Sequence, residues 1–304
     1  MTWEKLGLVY SPSLEDGYTH AMFPVVDITD ASKGHIRIYY THRDETNYGF
    51  PTYMDASILA NNFSIIYNHN KPIIPKAALG NFDDSGVNVT SVVKTNGGKR
   101  FYYYGWNLGV TVPFRNSIGV AKETDDGTIL QRLYPGPIMD RSKNFPNLCA
   151  TPCVLQDGNG FKMWFASGEP WVFFDGKPAV ACHIGYAESE NGIDWQREKI
   201  PAVGHGTNTD HVVSTPCVLK ENGMYRMWYS YRGEKYRIGY AESTDGKVFT
   251  RMDNEVGIGV SDAGWDSDMI CYPCVFDLQG KRYMIYCGNE YGKYGFGMAV
   301  WIGD

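Results

Sequence analysis

Three stretches of this 304-residue chain repeat one another, and each is built around a proline. They are Ala150–Leu155, Ser214–Leu219 and Cys271–Phe276, and their prolines at positions 152, 216 and 273 stand 64 and 57 residues apart. Each leads through a polar turn into an aromatic strand such as Tyr225–Tyr229, and then into a third strand such as Ile238–Ser243. A repeat of this length made of short strands and turns is typical of a β-propeller blade.

Two further copies keep the same order of strands. One runs through 89–93, 100–104 and 118–123, and the other runs through 23–26, 36–40 and 54–58. Five copies predict an all-β fold, a five-bladed β-propeller with four-stranded antiparallel blades. The last copy lacks an outer strand, so the N-terminal strand Trp3–Tyr10 is predicted to close the ring, because an open ring would leave unpaired edges. Since each blade needs its neighbours, residues 1–304 are predicted to form a single domain.

Composition narrows the range of partners. The formal net charge of −6 argues against nucleic acid as the main partner. We find neither a signal-peptide pattern nor an apolar run of about 18 residues, so we expect no membrane contact and predict a cytoplasmic monomer. The seven cysteines lack the spacing of a disulfide framework or a zinc site. Three of them at one repeat position, Cys153, Cys217 and Cys274, are expected to pack in the core.

Propeller topology indicates where a ligand would bind. The loops that precede the first strand of each blade and those that follow the second strand share one face. The polar candidates before a first strand are His20, Asp84, Asn147, Asp210, His211 and Asp268. The candidates after a second strand are Arg43, Trp106, Asn107, Glu169, Trp171, Arg232 and Glu290. These positions hold different polar residues in different blades, whereas the strands between them have similar sequences. This contrast favours a ligand-binding site over a purely structural repeat.

Five of these residues are predicted to be catalytic. Asp84, Asp210 and Asp268 could face one another across the funnel as general acid and base for glycosyl chemistry. His211 next to Asp210 could relay a proton, and Glu169 beside a tryptophan is expected to have the raised pKa of a general acid. The alternative for the aspartates is turn capping, and for Glu169 a plain loop position.

The remaining candidates are predicted to bind substrate. Arg43 and Arg232 could clamp a carboxylate or phosphate, and the rings of Trp106 and Trp171 could stack on sugar C–H faces. Four further polar side chains complete the predicted binding set, His20, Asn107, Asn147 and Glu290. The alternatives are surface arginines and aromatic residues that only pack their loops. We expect no cofactor, although a divalent ion among the carboxylates and imidazole stays open.

The blade motifs resemble a known superfamily. The segments Tyr225–Tyr229, Ile238–Ser243 and Asp245–Phe249 resemble the five-bladed propellers of glycoside hydrolase families 43 and 32, which include arabinanases, invertases and levansucrases. The resemblance implies a propeller acting on carbohydrate, and it identifies the chain as a divergent branch. Those hydrolases have acidic residues directly before inner-strand prolines. Here the residues in that position are Phe23, Thr151, Thr215 and Tyr272, so their catalytic triad does not carry over.

These observations predict a carbohydrate-active enzyme. Its expected reaction is glycosidase-like hydrolysis or related glycosyl chemistry on a sugar, glycoconjugate or sugar-nucleotide, and branches of this kind accompany polysaccharide metabolism. The alternative is a non-catalytic carbohydrate-binding propeller, which the missing inner-strand acids favour. A protein-interaction propeller is a third class, although such a face would need no set of carboxylates and histidines.

Overall fold

The computed structural model describes residues 1–13, 17–206 and 210–303, and nearly all regular structure in these ranges is β-strand. The exceptions are two 3₁₀ turns, Ala31–Lys33 and Asp253–Glu255, and one short helical turn, α1 (Asn289–Gly292). Within the described ranges no helix has the length and apolar character that a membrane span requires. The prediction of an almost purely β protein is confirmed.

The strands follow one another with short connections. In chain order they are β1 (Thr2–Tyr10), β2 (Thr19–Asp30), β3 (His35–Arg43), β4 (Gly49–Leu59), β5 (Asn62–Asn68), β6 (Gly86–Thr95), β7 (Gly98–Leu108), β8 (Phe114–Glu123), β9 (Leu130–Arg132), β10 (Cys149–Asp157), β11 (Gly160–Gly168), β12 (Val172–Phe174), β13 (Lys177–Ala179), β14 (Cys182–Ser189), β15 (Gln196–Arg197), β16 (Val212–Glu221), β17 (Met224–Arg232), β18 (Tyr236–Ser243), β19 (Thr250–Arg251), β20 (Cys271–Leu278), β21 (Lys281–Cys287) and β22 (Phe296–Gly303).

Antiparallel pairing groups these strands into successive units. The first unit is β2–β3–β4–β5, the second β6–β7–β8–β9, the third β10–β11–β14–β15, the fourth β16–β17–β18–β19 and the fifth β20–β21–β22–β1. Strands β12 and β13 form a separate hairpin within the third unit's loop. Single parallel bridges, Gly49 with Gly86 and Cys182 with Val212, join neighbouring units.

The first strands of the units lie side by side at the middle of the molecule. β2 packs against β6, β6 against β10, β10 against β16, β16 against β20, and β20 against β2. At the other end of the fifth unit, β1 pairs with β22 from Thr2 opposite Gly303 to Tyr10 opposite Phe296. The strands therefore have a propeller-type arrangement, in which the loops at one end of every unit meet on one face.

The repeated Ile-Gly-Tyr-Ala motif has a steric cause. In the third and fourth units, and in the second unit where the motif reads Ile-Gly-Val-Ala, an aromatic ring of the middle strand lies directly over the motif glycine. A Cβ atom on Gly239 would come within 2.5 Å of the Tyr229 ring, and one on Gly119 would come within 2.3 Å of the Tyr103 ring. Only glycine leaves room for these rings, which are fully buried.

The thiols at the repeated cysteine position pack as expected in one unit and less completely in two. Cys153 is buried in the cluster around Trp164, whereas Cys217 and Cys274 are partly buried. Burial raises the pKa of the Cys153 thiol well above its ordinary value. All seven cysteines are free thiols.

Candidate functional site

The residue before each inner-strand proline has an unusual backbone. The φ angle is +52° at Phe23, +46° at Thr151, +52° at Thr215 and +56° at Tyr272. The register of each first strand shifts beside this residue, so it bulges out of the ladder. Positive φ is rare for aromatic and β-branched residues and is concentrated at functional sites. The repeat therefore imposes a strained conformation on these four central positions.

Four aromatic side chains, which we call the aromatic floor, fill the centre. Phe23 and Tyr272 stack with centroids 4.0 Å apart, Tyr104 meets Phe23 edge-on at 5.6 Å, and Tyr236 lies 6.0 Å from Tyr272. Each is only 7–9% exposed. Because two of these side chains occupy pre-proline positions, carboxylates that act here must come from the surrounding loops.

The third unit supplies such a carboxylate. Glu169 directly follows β11, and its Oε1 lies 2.7 Å from Nδ1 of His183 and 3.1 Å from Nε2 of His205. A carboxylate only accepts hydrogen bonds, so both imidazoles donate to it through these nitrogens. The other nitrogen of each neutral ring is then an acceptor, as in a base held by a carboxylate. Glu169 thus fixes the tautomers of two histidines.

The prediction of a raised pKa for Glu169 is wrong. Partial burial by itself raises the pKa of this carboxyl group. The hydrogen bond from His183, the charge of His205 and the hydrogen bond from His205 together outweigh the burial, and the pKa lies below its ordinary value. Glu169 is therefore ionised at neutral pH, which suits a base or an orienting group better than a general acid.

The pair Asp210 and His211 adjoins this cluster. The carbonyl of His211 accepts the backbone N–H of Cys182, the residue before His183, at 3.0 Å. The His211 ring stacks on Phe174 with centroids 5.4 Å apart. Asp210 is 5% exposed at its side chain, and its Oδ2 lies 3.1 Å from Nη2 of Arg251. This ion pair holds the Asp210 carboxylate in a largely buried position.

Arg232 connects these loops to the aromatic floor. Its guanidinium carbon lies 5.9 Å from the centre of the Phe174 ring and 5.6 Å from that of Tyr236. Its Nη1 donates to the hydroxyl of Tyr291 at 3.4 Å. The hairpin of the third unit, the end of β17 and the loop after β21 therefore converge beside Tyr236.

A second cluster lies where the first and fifth units meet. Burial and the neighbouring positive charges of Arg43 and Lys293 lower the pKa of His20 to about 4, against a smaller opposing effect of Glu290. Glu290 Oε2 forms an ion pair with Lys293 at 2.7 Å. Burial raises the pKa of the Tyr104 hydroxyl well above its ordinary value, and the positive charge of Arg43 partly opposes this rise. Arg43 thus lies close enough to Tyr104 of the aromatic floor for its charge to act there.

The acidic side chains of this face have charged or imidazole partners, whereas two of its arginines have no carboxylate partner within the described ranges. Glu169, Asp210, Asp268 and Glu290 each have a cationic or imidazole partner, which for Asp268 is Lys235 Nζ at 2.7 Å. Within the described ranges, Arg43 and Arg232 have no carboxylate partner. Their side chains donate to the Asn47 amide oxygen and to the Tyr291 hydroxyl. The charges of these two arginines are therefore not neutralised by any carboxylate of the described ranges.

Other predicted residues have polar contacts within their own loops. Asp84 caps its own turn, because its carboxylate accepts the Gly80 N–H at 2.8 Å and the Ser85 hydroxyl at 2.9 Å. Asn107 donates to the Asn81 carbonyl at 3.3 Å, and Asn147 is half-buried.

The two predicted tryptophans also have structural neighbours. Trp171 packs edge-on against Phe114 with centroids 5.2 Å apart. Trp106 lies over Gly86, where a Cβ atom would approach the indole nitrogen to 2.1 Å. Both side chains remain partly exposed, so each combines loop packing with some accessible ring surface.

His183 and His205 were missed by sequence reasoning. His183 stands just before the Ile-Gly of β14, where Ser117 and Arg237 stand in the neighbouring repeats. That position varies while the motif after it is constant, which is the signal used for the other candidate positions. His205 lies in a connecting loop with no such pattern. The described ranges contain no group of three or more His, Cys, Asp or Glu arranged to hold a metal ion.

One cavity lies away from this face. It measures about 730 Å³ and is lined by Asp157, Lys162, Glu188 and Asp194 among others. Asp157 ends β10 and Lys162 is near the start of β11, whereas Glu169 follows the end of β11. The cavity is therefore at the opposite end of the third unit.

No family model matches the chain. Two curated proteins of Mycobacterium tuberculosis, the uncharacterized proteins MT1551 (strain CDC 1551 / Oshkosh) and Rv1502 (strain ATCC 25618 / H37Rv), are each 37% identical to it over 302 residues, which cover 99% of this sequence and 99% of theirs.

Solved structures share the fold. One named a glycoside hydrolase has a TM-score of 0.72 at 16% identity, and the match covers 99% of this protein and 92% of the other. A thermostable family-43 glycoside hydrolase has a TM-score of 0.70 at 13% identity, covering 95% and 92%. A structure from a study of the GH130 family has 0.67 at 14%, covering 98% and 93%. The chain thus has the propeller-type fold of glycoside hydrolases, as its motifs predicted.

Proposed function

Because this protein belongs to one family with the uncharacterized mycobacterial proteins MT1551 and Rv1502, whose names give no activity, we propose a function from its own site. We propose that it is a carbohydrate-active enzyme with glycosidase-like or related glycosyl chemistry. Its substrate, a sugar, glycoconjugate or sugar-nucleotide, binds over the aromatic floor. The names of several structures with this fold, which are those of glycoside hydrolases, support the substrate class.

The proposal includes the architecture. The five units are the blades of one ring formed by residues 1–304, and β1 closes that ring by completing the fifth blade. The pairing of β1 with β22 and the packing of β20 against β2 support this arrangement. The cytoplasmic location and the monomeric state expected from the sequence belong to the same proposal.

The single observation that carries an enzymatic function is the cluster of Glu169 with His183 and His205. An ionised carboxylate 2.7 Å from Nδ1 of His183 orients that ring. The ring can then take a proton from a water or sugar hydroxyl through Nε2 and return it later in the reaction. His211, whose backbone carbonyl accepts the N–H of Cys182, is a further imidazole close to this cluster.

Arg43 and Arg232 specify the substrate further. Both lack a carboxylate partner within the described ranges, and they lie near Tyr104 and Tyr236 of the aromatic floor. Guanidinium groups bind carboxylate and phosphate oxygens bidentately. The expected substrate therefore carries an acidic group, as in a uronic acid, a sugar phosphate or a sugar-nucleotide.

One observation favours a second function. The central pre-proline positions hold Phe23 and Tyr272, which stack on each other, and they hold no acid. A non-catalytic binder needs an apolar platform for sugar C–H faces but no central carboxylate. The second candidate is thus a carbohydrate-binding propeller that uses the same floor.

A panel of neutral oligosaccharides, uronic acid oligosaccharides, sugar phosphates and sugar-nucleotides tests both proposals. Product analysis measures turnover and thermal shift measures binding. Turnover of an acidic sugar, lost in Glu169→Gln, supports the enzyme. A thermal shift without turnover supports the binder. Neither effect with any compound contradicts both proposals.

A further inference from the structure

The outer strands of four units have a basic residue at one shared position. Each pairs with the alanine of the repeated motif on the adjacent strand: Arg132 with Ala121, Arg197 with Ala187, Arg251 with Ala241 and Lys5 with Ala299. Each of these side chains donates to the loop that leads into the first strand of its own unit. We call these four side chains the basic clamps, because each ties the outer strand of a unit to the loop that enters it.

The clamps of the second and fifth units bind a buried acid. Arg132 Nε donates to Asp83 Oδ2 at 2.7 Å, and its Nη1 donates to the Pro75 carbonyl at 2.7 Å. Lys5 Nζ donates to Asp266 Oδ2 at 2.7 Å. Both aspartates are buried. A lysine therefore suffices to hold the acid of such a loop, whereas the fork of an arginine also reaches a backbone carbonyl.

In the fourth unit the clamped loop contains a residue of the candidate site. Arg251 Nη2 lies 3.1 Å from Asp210 Oδ2, and its Nη1 donates to the Gly204 carbonyl at 3.0 Å. This carbonyl and the N–H of His205 belong to one planar peptide group. His205 Nε2 in turn lies 3.1 Å from Glu169 Oε1 of the third unit. The clamp thus fixes the backbone from which His205 reaches Glu169.

The loop is also held on the other side of His205. The N–H of Gly206 donates to Asp210 Oδ2 at 3.4 Å, the same oxygen that faces Arg251. The guanidinium lies so close to this loop that a Cβ atom on Gly206 would come within 2.6 Å of the Arg251 Cζ atom. Asp253 accepts Arg251 Nε at 3.0 Å and fixes the guanidinium from its own strand side.

We propose that Arg251 is a positioning residue of the enzyme, which holds His205 against Glu169 through the Gly204 carbonyl. The inference rests on the function proposed above, because it assigns a role at the same site. Against the opposing effect of burial, the hydrogen bond from His183 and then the charge and hydrogen bond of His205 lower the pKa of Glu169. Release of His205 removes its share of this effect and leaves that of His183.

Arg251→Lys tests this role with the positive charge kept. As the lysine clamp of the fifth unit does, the new side chain can hold Asp210, but it lacks the fork that also reaches the Gly204 carbonyl. An NMR titration of the Glu169 carboxyl carbon in the unliganded protein should give a higher pKa than in the unaltered protein. Arg132→Lys is the matched control, because both arginine side chains are 16% exposed. It should leave the Glu169 titration unchanged.

His205→Gln separates positioning from a general effect on the fold. It should raise the pKa of Glu169 as Arg251→Lys does, and the double variant should raise it no further, because both changes remove the same contact. Additive shifts in the double variant, an unchanged titration in Arg251→Lys, or an equal shift in Arg132→Lys would each overturn the proposal.

Turnover measures the consequence for catalysis. On the best substrate of the carbohydrate panel, kcat of Arg251→Lys should fall by roughly 10- to 100-fold with a smaller change in KM, the scale expected when a site group is misplaced by about 1 Å. An unchanged kcat would overturn the positioning role in the reaction. If the panel gives no turnover but the Glu169 titration shifts as expected, the proposed function fails while the placement of His205 by Arg251 stands.

Discussion

Removing the charge of either of two carboxylates in the candidate site should change the stability of the protein to very different extents. Asp210 is 5% exposed and its carboxylate faces Arg251 Nη2 at 3.1 Å, whereas Asp268 and its partner Lys235 are both about half exposed. Asp210→Asn removes the charge of a buried pair but keeps an oxygen that can accept from Arg251. Asp268→Asn removes the charge of a surface pair.

The expected magnitudes follow from this burial. A hydrogen bond to a charged group contributes about 1.5–3 kcal/mol, and Arg251 keeps its second partner Asp253. We expect Asp210→Asn to lower the free energy of unfolding by about 2 kcal/mol, or the melting temperature by roughly 3 °C for a chain of this size. For Asp268→Asn we expect less than about 1 kcal/mol.

Thermal and urea denaturation of both variants at pH 7 measure this contrast. Equal stabilities of the two variants, or a larger loss for Asp268→Asn, would refute the reasoning from burial. If Asp210→Asn also abolishes turnover of a substrate, the fraction of folded protein and the turnover rate must be measured on the same sample. Part of any loss of activity would otherwise reflect unfolding of the variant.

Three further predictions follow from individual residues. Gly239→Ala should destabilise the protein by about 1–3 kcal/mol, since its Cβ atom would lie 2.5 Å from the Tyr229 ring, while Gly136→Ala, which has open space, should be neutral in urea denaturation. His20 should titrate near pH 4 by NMR, and a midpoint near 6.5 would contradict this. Between about pH 6.5 and pH 4 the unfolded state binds a proton at His20 that the folded state does not. The protein should therefore lose stability through this residue as the pH drops across that range. Deleting residues 1–11 should sharply lower the melting temperature, because β22 loses its partner strand, and an unchanged melting temperature would argue against closure by β1.

Much of the fold could be predicted from the sequence, because each repeat carries its own packing rules. The glycine of Ile-Gly-Tyr-Ala makes room for a ring on the adjacent strand, and both residues recur at fixed spacing. The strand Trp3–Tyr10 was identified because the fifth copy lacked one, and β1 covers Thr2–Tyr10.

The site was less predictable, because its chemistry depends on contacts between distant residues. Glu169 stands beside Trp171 in sequence, which suggested a raised pKa, yet its partners are His183 and His205 from other loops. The floor formed by Phe23 and Tyr272 depends on a positive φ that the sequence does not reveal.

The most direct test of the proposed function is the rate of Glu169→Gln on the best substrate of the carbohydrate panel. The substitution keeps the side-chain shape and removes the charge that orients His183, so kcat/KM should fall at least about 100-fold, the scale of general acid–base catalysis. Glu188→Gln, at the opposite end of the third unit and paired with Lys247, is the matched control and should keep the full rate. A near-unaltered rate for Glu169→Gln, or an equal loss in both variants, would contradict the assignment of Glu169 and His183 to catalysis.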